Sequence, residues 1–386
     1  MRSLKYTPFT IGLAYIATTA VLSAIGSKSR TLALHLSSGQ PLLGISFNLS
    51  RALFAVLVTI IANTVFAYAD GTMRSEPNVK KFLYSSSIFF LATFAMVFSP
   101  SLIQFSIATT ISTLALGYAT FLIPFQDRSK RPRYPWHLHI GDLLLLAESA
   151  ATIGHPNQKL TQITLIIWTF SRAGLLPFSK WVVASVNAPT AASVMLHGGF
   201  VNAPAIALIY FGNYQSLDKR VLVAIVILAI ATIIWSSLAK SFAKDVKGRL
   251  AVSTCGQMSF MVLEILSGLP ILGLFHAVGH GLFKSYLLYD APSDPFNKSE
   301  LISDKATANR KSARSKVAKS RNPLRAIVSG VVAIAVMAIA AVATGNVTPA
   351  NLSSLIPESV GFGIALYVAI SVSFGHKDRV GASYKR

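Results

Sequence analysis

The chain is short of charge and nearly empty of cysteine. A single cysteine, Cys255, occurs in 386 residues, which excludes an internal disulfide and any cluster of thiolate metal ligands. Charged residues make up 13% of the sequence against 53% hydrophobic, with a mean hydropathy of +0.56. A water-soluble protein of that composition would carry an abnormally apolar surface, whereas a chain that crosses a bilayer many times would not. There is no glycine-rich nucleotide loop, no hydrolase triad spacing, and no pair of histidines set to grip a haem from two helices, so no catalytic residue and no metal site is assigned. Acidic residues are the scarcest charged class, 14 against 35 lysines and arginines, for a formal charge of +21.

Where the positive charge sits decides what it means. Apolar runs long enough to span a bilayer predict an all-α polytopic membrane protein of about twelve transmembrane helices. They fall at 8–25, 44–69, 82–98, 102–125, 138–153, 160–183, 190–211, 221–239, 250–267, 269–289, 327–344 and 360–374. The run 8–25 is read as a first span, because no small-residue cleavage site follows it. Alternating sides from an inward N-terminus puts 26 lysines and arginines on the cytoplasmic side and 5 on the other, with 4 inside spans, which together make the 35. That asymmetry fits an N-in, C-in protein, and it makes the basic charge topological. The segment 290–326 reads as a basic cytoplasmic loop between a core over 1–289 and C-terminal helices with a basic tail over 327–386. Its lysines and arginines are not interleaved with aromatics, so the lipid bilayer is the expected surface and no nucleic acid is.

One span stands out. Between Leu269 and Tyr289 the chain carries His276, His280 and Lys284, four residues apart and so stacked along one helix face at about 6 Å per step. Titratable groups are costly in hydrocarbon, and three in register point to an interior path rather than a lipid-facing surface. Imidazole suits a proton path, its ordinary pKa of about 6.5 lying where small shifts change occupancy. Two other readings stay open: that these side chains only satisfy neighbouring backbone and hydroxyl groups, and that His-x-x-x-His binds a metal, for which no carboxylate or thiolate lies near in sequence.

Other interior charges are Arg51, Asp142, Glu148, Arg172, Lys180, His197 and Glu264. Asp142 and Lys180 lie near span ends, where capping or snorkelling accounts for them. Arg172 and His197 lie deep in apolar runs, and Pro177 and Pro204 follow them. Proline frees a carbonyl and breaks its helix, and broken helices commonly line ion sites at mid-membrane.

The segment RAGLLPFSKW at 172–181, followed by NAPTAASVMLHGGFVN at 187–202, resembles the antiporter-like membrane subunits of respiratory complex I and Mrp antiporters, with Pro177, Trp181, Pro189, Thr190 and His197 matching. HAVGHGLFKSY at 276–286 is similar to that family's His-x-x-x-His-x-x-x-Lys helix, and HIGD at 139–142 to its Arg-x-Gly-Asp. The segment LHGGFVN at 196–202 resembles most the membrane subunit of DAB-type inorganic carbon complexes. This resemblance implies discontinuous, proline-broken helices in an antiporter-like core, in a bacterial cytoplasmic membrane. It implies no cofactor in this chain, and a large soluble partner with a zinc, carbonic-anhydrase-like site, driven by protons or by sodium. The alternatives are a subunit of a respiratory or Mrp antiporter complex, and a membrane anchor without flux.

The chain departs from the family twice. Arg172 stands where the family has lysine, and a guanidinium does not release its proton in proteins. The family's acidic partner in an earlier helix is also missing, since 102–125 holds no Asp or Glu; Glu148, Asp142 and Glu264 are the candidate substitutes. The expected proton path is His197, His276, His280 and Lys284, biased by the fixed charge of Arg172.

Overall fold

The computed structural model describes residues 30–35, 41–73, 76–124, 134–153, 157–213, 217–243 and 246–290. The predicted spans 8–25, 327–344 and 360–374, and the loop 290–326 beyond Asp290, lie outside the described residues, so the count of twelve is untouched.

Among the described residues, one hairpin is not helical. Strands β1 (Arg30–His35) and β2 (Pro41–Phe47) pair antiparallel, with Leu32 opposite Ile45. The predicted span 44–69 therefore starts too early, because its first residues are strand. Apolar content alone does not separate the two states over four residues, and here tertiary contacts decide. The Gln104 side chain clamps Gly44, accepting from its N–H at 2.7 Å and donating to its carbonyl at 3.0 Å. A Cβ at Gly44 would lie 2.6 Å from the Ala33 Cα, so only glycine permits the approach. Asn48 then caps α1, accepting the Arg51 N–H at 3.0 Å.

Helices follow at α1 (Leu49–Thr72), α2 (Val79–Val97) and α3 (Leu102–Gly117), the last running into a π-turn at Tyr118–Leu122. Next are α4 (His139–Ala151) and α5 (Gln158–Ala173). The run 160–183 is not one helix. Gly174 ends α5 in the left-handed region at φ +68, and a turn containing the cis Leu176–Pro177 bond leads to the short α6 (Lys180–Ala184). Glycine, rather than the predicted Pro177, makes the break.

The run 190–211 is also interrupted, ahead of Pro204 rather than at it. It comprises α7 (Thr190–Val194), a π-turn at Met195–Gly199, a 3-10 turn at Phe200–Asn202 and α8 (Ala203–Phe211). Three longer helices complete the described chain: α9 (Lys219–Phe242), α10 (Val246–Leu266) and α11 (Pro270–Tyr289).

The core is built by α1, α2, α3, α5, the α7–α8 segment, α10 and α11. Helix α9 lies at its rim: Val223, Ile227, Ile230, Ile234 and Leu238 are exposed at helical spacing, the surface a bilayer demands. Leu49–Thr72, Leu102–Leu122, Thr190–Phe211 and Lys219–Phe242 are long and apolar enough to cross a membrane. The buried Arg51 is structural: its guanidinium donates to Val97 O at 2.8 Å and Ser99 O at 2.7 Å, satisfying carbonyls that the end of α2 leaves open, and lies 3.9 Å over the Tyr210 ring.

Candidate ion-conducting site

The interrupted segment 195–202 packs on α11 by backbone. A Cβ at Gly281 would meet the Gly198 carbonyl at 2.6 Å and the Asn202 amide nitrogen at 3.0 Å. The π-turn and the 3-10 turn free carbonyls, and Asn202 uses one, donating from Nδ2 to Gly198 O at 2.6 Å. That orients its Oδ1 toward His280 Nδ1 at 3.1 Å, so the hydrogen-bond network assigns the proton of the neutral imidazole to Nδ1. His280 Nε2 is then the bare acceptor, and it is buried without a hydrogen-bond partner among the described residues. An unpartnered ring nitrogen in such a place is open to a water or a proton.

A second arm runs over α10. Lys284, 2% exposed, donates to Leu250 O at 2.8 Å and makes a short contact with the Ser253 hydroxyl. The Thr254 hydroxyl spends its one proton on the same carbonyl at 2.9 Å and so accepts from His197 Nδ1 at 3.2 Å. His197, His280 and Lys284 are therefore buried together where the π-turn, α10 and α11 meet. His276 is set apart: it is 20% exposed and pairs with Glu264 at 3.0 Å, a carboxylate only 8% exposed.

Three uncharged side chains and one more lysine complete the cluster. Asn202, Ser253 and Thr254 carry no charge, and only Asn202 falls within a motif, LHGGFVN. Lys247, which falls between the predicted spans 221–239 and 250–267, is a buried residue of α10 that donates to Ala188 O at 3.0 Å. Its signal was its place seven residues before Thr254, two turns along one face.

Arg172 forms a separate centre. Its Nη1 reaches the hydroxyls of Thr109 at 2.6 Å and Thr113 at 2.7 Å, and its Nη2 that of Ser112 at 2.7 Å. These α3 side chains occupy the helix in which no acidic residue occurs. The Phe200 carbonyl, which Pro204 cannot serve as a helical donor, already accepts the Ala203 N–H and lies 3.4 Å from Arg172 Nε. The carboxylate beside the guanidinium is Asp142, at 3.7 Å, itself held by Trp168 Nε1 at 2.7 Å. Glu148 is bonded elsewhere, to Thr161 and Thr152, and Glu264 belongs to His276. Of the three candidate acids, Asp142 is the one beside Arg172. At the end of α4 that carries this centre, Tyr134 Oη meets His139 Nε2 at 2.5 Å, and burial, then Asp142, raise the phenol's pKa.

A family profile described as NADH:quinone oxidoreductase/Mrp antiporter, transmembrane, matches residues 81–344. Among curated proteins the chain is similar to NADH-ubiquinone oxidoreductase chain 5 of Ascaris suum, 24% identical over 255 residues, covering 63% of this chain and 46% of that one. It is also similar to the probable inorganic carbon transporter subunit DabB2 of Halothiobacillus neapolitanus, 27% identical over 323 residues and covering 75% and 57%. A third relative is the probable inorganic carbon transporter subunit DabB of Bacillus subtilis, 31% identical over 158 residues and covering 41% and 30%. The chain thus spans about half the length, or less, of these relatives. In fold it resembles a chain of the Mrp complex from Dietzia sp. DQ12-45-1b, with a TM-score of 0.62 at 19% identity, covering 73% of this chain and 34% of that one.

Proposed function

Since the chain belongs to the NADH:quinone oxidoreductase/Mrp antiporter transmembrane family and is an antiporter-like membrane subunit, we propose that it conducts protons to drive an inorganic carbon uptake complex. The observation that carries the conduction reading is the buried group of His197, His280 and Lys284 around an interrupted helix, with His280 Nε2 left as an open acceptor. Protons pass between these side chains and interior water, with Arg172 as a fixed positive charge nearby in the bundle. The partly exposed His276, paired with the buried Glu264, forms one mouth of the path.

The carbon branch of the family is favoured by likeness to subunits named as inorganic carbon transporters. In this reading the partner is a large soluble zinc protein with a carbonic-anhydrase-like site, and the membrane is a bacterial cytoplasmic membrane with both termini inward. Replacing His280 by Ala abolishes gradient-dependent bicarbonate accumulation while the complex still copurifies with its zinc. Unchanged accumulation in that variant removes the relay. A copurifying partner without zinc removes the carbon branch and leaves the respiratory or Mrp-type assembly, which the likeness to chain 5 proteins supports.

One observation favours a second reading, an anchor without flux. The Arg172 guanidinium is fully engaged by α3 hydroxyls and Asp142, so it neither exchanges a proton nor has an obvious second position. Indifference of carbon accumulation to a proton ionophore decides for the anchor.

A further inference from the structure

A cavity of about 200 Å³ opens at the end of the bundle where β2 meets the starts of α3 and α5, lined by Leu42, Ser101, Ser149, Thr152, Thr161 and Phe211. Directly behind two of its hydroxyls lies Glu148, only 5% exposed. Its Oε1 is 2.5 Å from the Thr161 hydroxyl and 3.4 Å from that of Thr152. Its Oε2 is buried with no hydrogen-bond partner among the described residues.

The hydroxyl geometry admits both forms of the carboxyl. Thr161 has one proton and two acceptors in reach, Glu148 Oε1 and Asn157 O at 3.0 Å. With Glu148 ionised, Thr161 donates to the carboxylate. With Glu148 protonated, the carboxyl donates to Thr161, and Thr161 donates to Asn157 O. The Thr152 hydroxyl is likewise supplied with a backbone acceptor, Glu148 O at 2.9 Å. A proton is therefore taken up with no heavy atom moving.

Polar groups continue inward from there along the α3–α4 seam. The hydroxyls of Ser149 and Ser106 meet across it at 2.7 Å. One turn on, Thr109 donates to Asp142 Oδ1 at 3.0 Å, and Asp142 Oδ2, like Glu148 Oε2, is buried without a hydrogen-bond partner among the described residues. Glu148 and Asp142 are six residues apart on one helix, about 9 Å of rise.

We infer that Glu148 is a proton-loading site served by this cavity and the outer end of a route along the α3–α4 seam to the Asp142–Arg172 centre, distinct from the histidine–lysine cluster. The route rests on the conduction reading above. The step is a simple one: a hydronium in the cavity gives its proton to the carboxylate, an O–H bond forms at Glu148, and water is left behind.

The test uses the assembled complex in membrane vesicles. A water-soluble carbodiimide, which attacks protonated carboxyls, is added to right-side-out and to inverted vesicles, and the Glu148 peptide is read by mass spectrometry. An adduct in one orientation only is expected; adduct in both or in neither overturns the site. Proton flux in Glu148→Gln is expected to fall at least fivefold, with partial recovery in Glu148→Asp. Should the Gln variant fail to assemble, Thr161→Val removes only the relaying hydroxyl and lowers flux severalfold. Wild-type flux in an assembled Glu148→Gln or Thr161→Val complex overturns the route. If the native complex carries no flux, the conduction reading and the route both fall, and the adduct alone decides whether Glu148 is a site open to one face.

Discussion

At the scale of single residues, the neutral Asn202 ties the interrupted segment to α11. Its amide serves the freed Gly198 carbonyl and fixes the His280 tautomer in one stroke. Asn202→Leu keeps the volume and strands both partners, at about 1–3 kcal/mol for each buried orphan. The expected result is loss of about tenfold in proton flux, the factor that 1.4 kcal/mol sets, with the subunit still found in the complex. Flux at the native level in that variant means that the tautomer of His280 is irrelevant. The sequence shows Asn202 only as the end of LHGGFVN, because a neutral amide in an apolar run gives no electrostatic sign of its role. The four-residue spacing of His276, His280 and Lys284 was legible, yet it overstates their unity. Each step of four turns a helix by about 40° beyond a full rotation, so His276 ends up well around the face from Lys284. That drift puts it on Glu264 and in partial contact with the surroundings.

At the scale of elements, hydrophobic length found the helices and failed where they are interrupted. The prolines mark the runs 160–183 and 190–211 as broken, but not where each break starts, because glycine and small apolar residues keep hydropathy high through it. The left-handed Gly174 is what ends α5 and lets the chain fold back, with Leu176 N–H held by Thr232 at 3.1 Å and Trp181 Nε1 by Ser171 O at 2.8 Å. Gly174→Ala meets a strained φ costing about 1–2 kcal/mol, besides a collision with the Val182 side chain. The detergent-solubilised protein should unfold several degrees lower, with Arg172 still in its hydroxyl cage. An unchanged melting curve contradicts the role given to that glycine. The hairpin was illegible for a different reason: β2 exists because Gln104 and Phe98, far along the chain, supply its outer hydrogen bonds, and the Ser46 N–H reaches Phe98 O at 2.8 Å.

At the scale of the molecule, the proposed orientation with both termini inward rests on charge asymmetry. Helix α9 begins at Lys219 and ends near Lys240, and Lys240 and Lys159 are both exposed. Because Cys255 is the one native cysteine and is buried, single replacements report cleanly. Lys240→Cys is expected to react with a membrane-impermeant maleimide in inverted vesicles, and Lys159→Cys in right-side-out ones. The opposite pattern reverses the assigned orientation.

The π-turn at Met195–Gly199 has a bearing on how this gene tolerates change. A π-turn holds one residue more than the α-helical turn it replaces, so the frame joining His197 to Asn202 depends on a surplus amino acid. Loss of a single codon there would close the turn into an ordinary spiral, with the flanking helices still in register and the carbonyls that the wide turn frees bonded again within the helix. Most point substitutions in this stretch alter one contact. A three-base deletion would leave the composition and the flanking faces almost intact and abolish the widened turn that carries the imidazole.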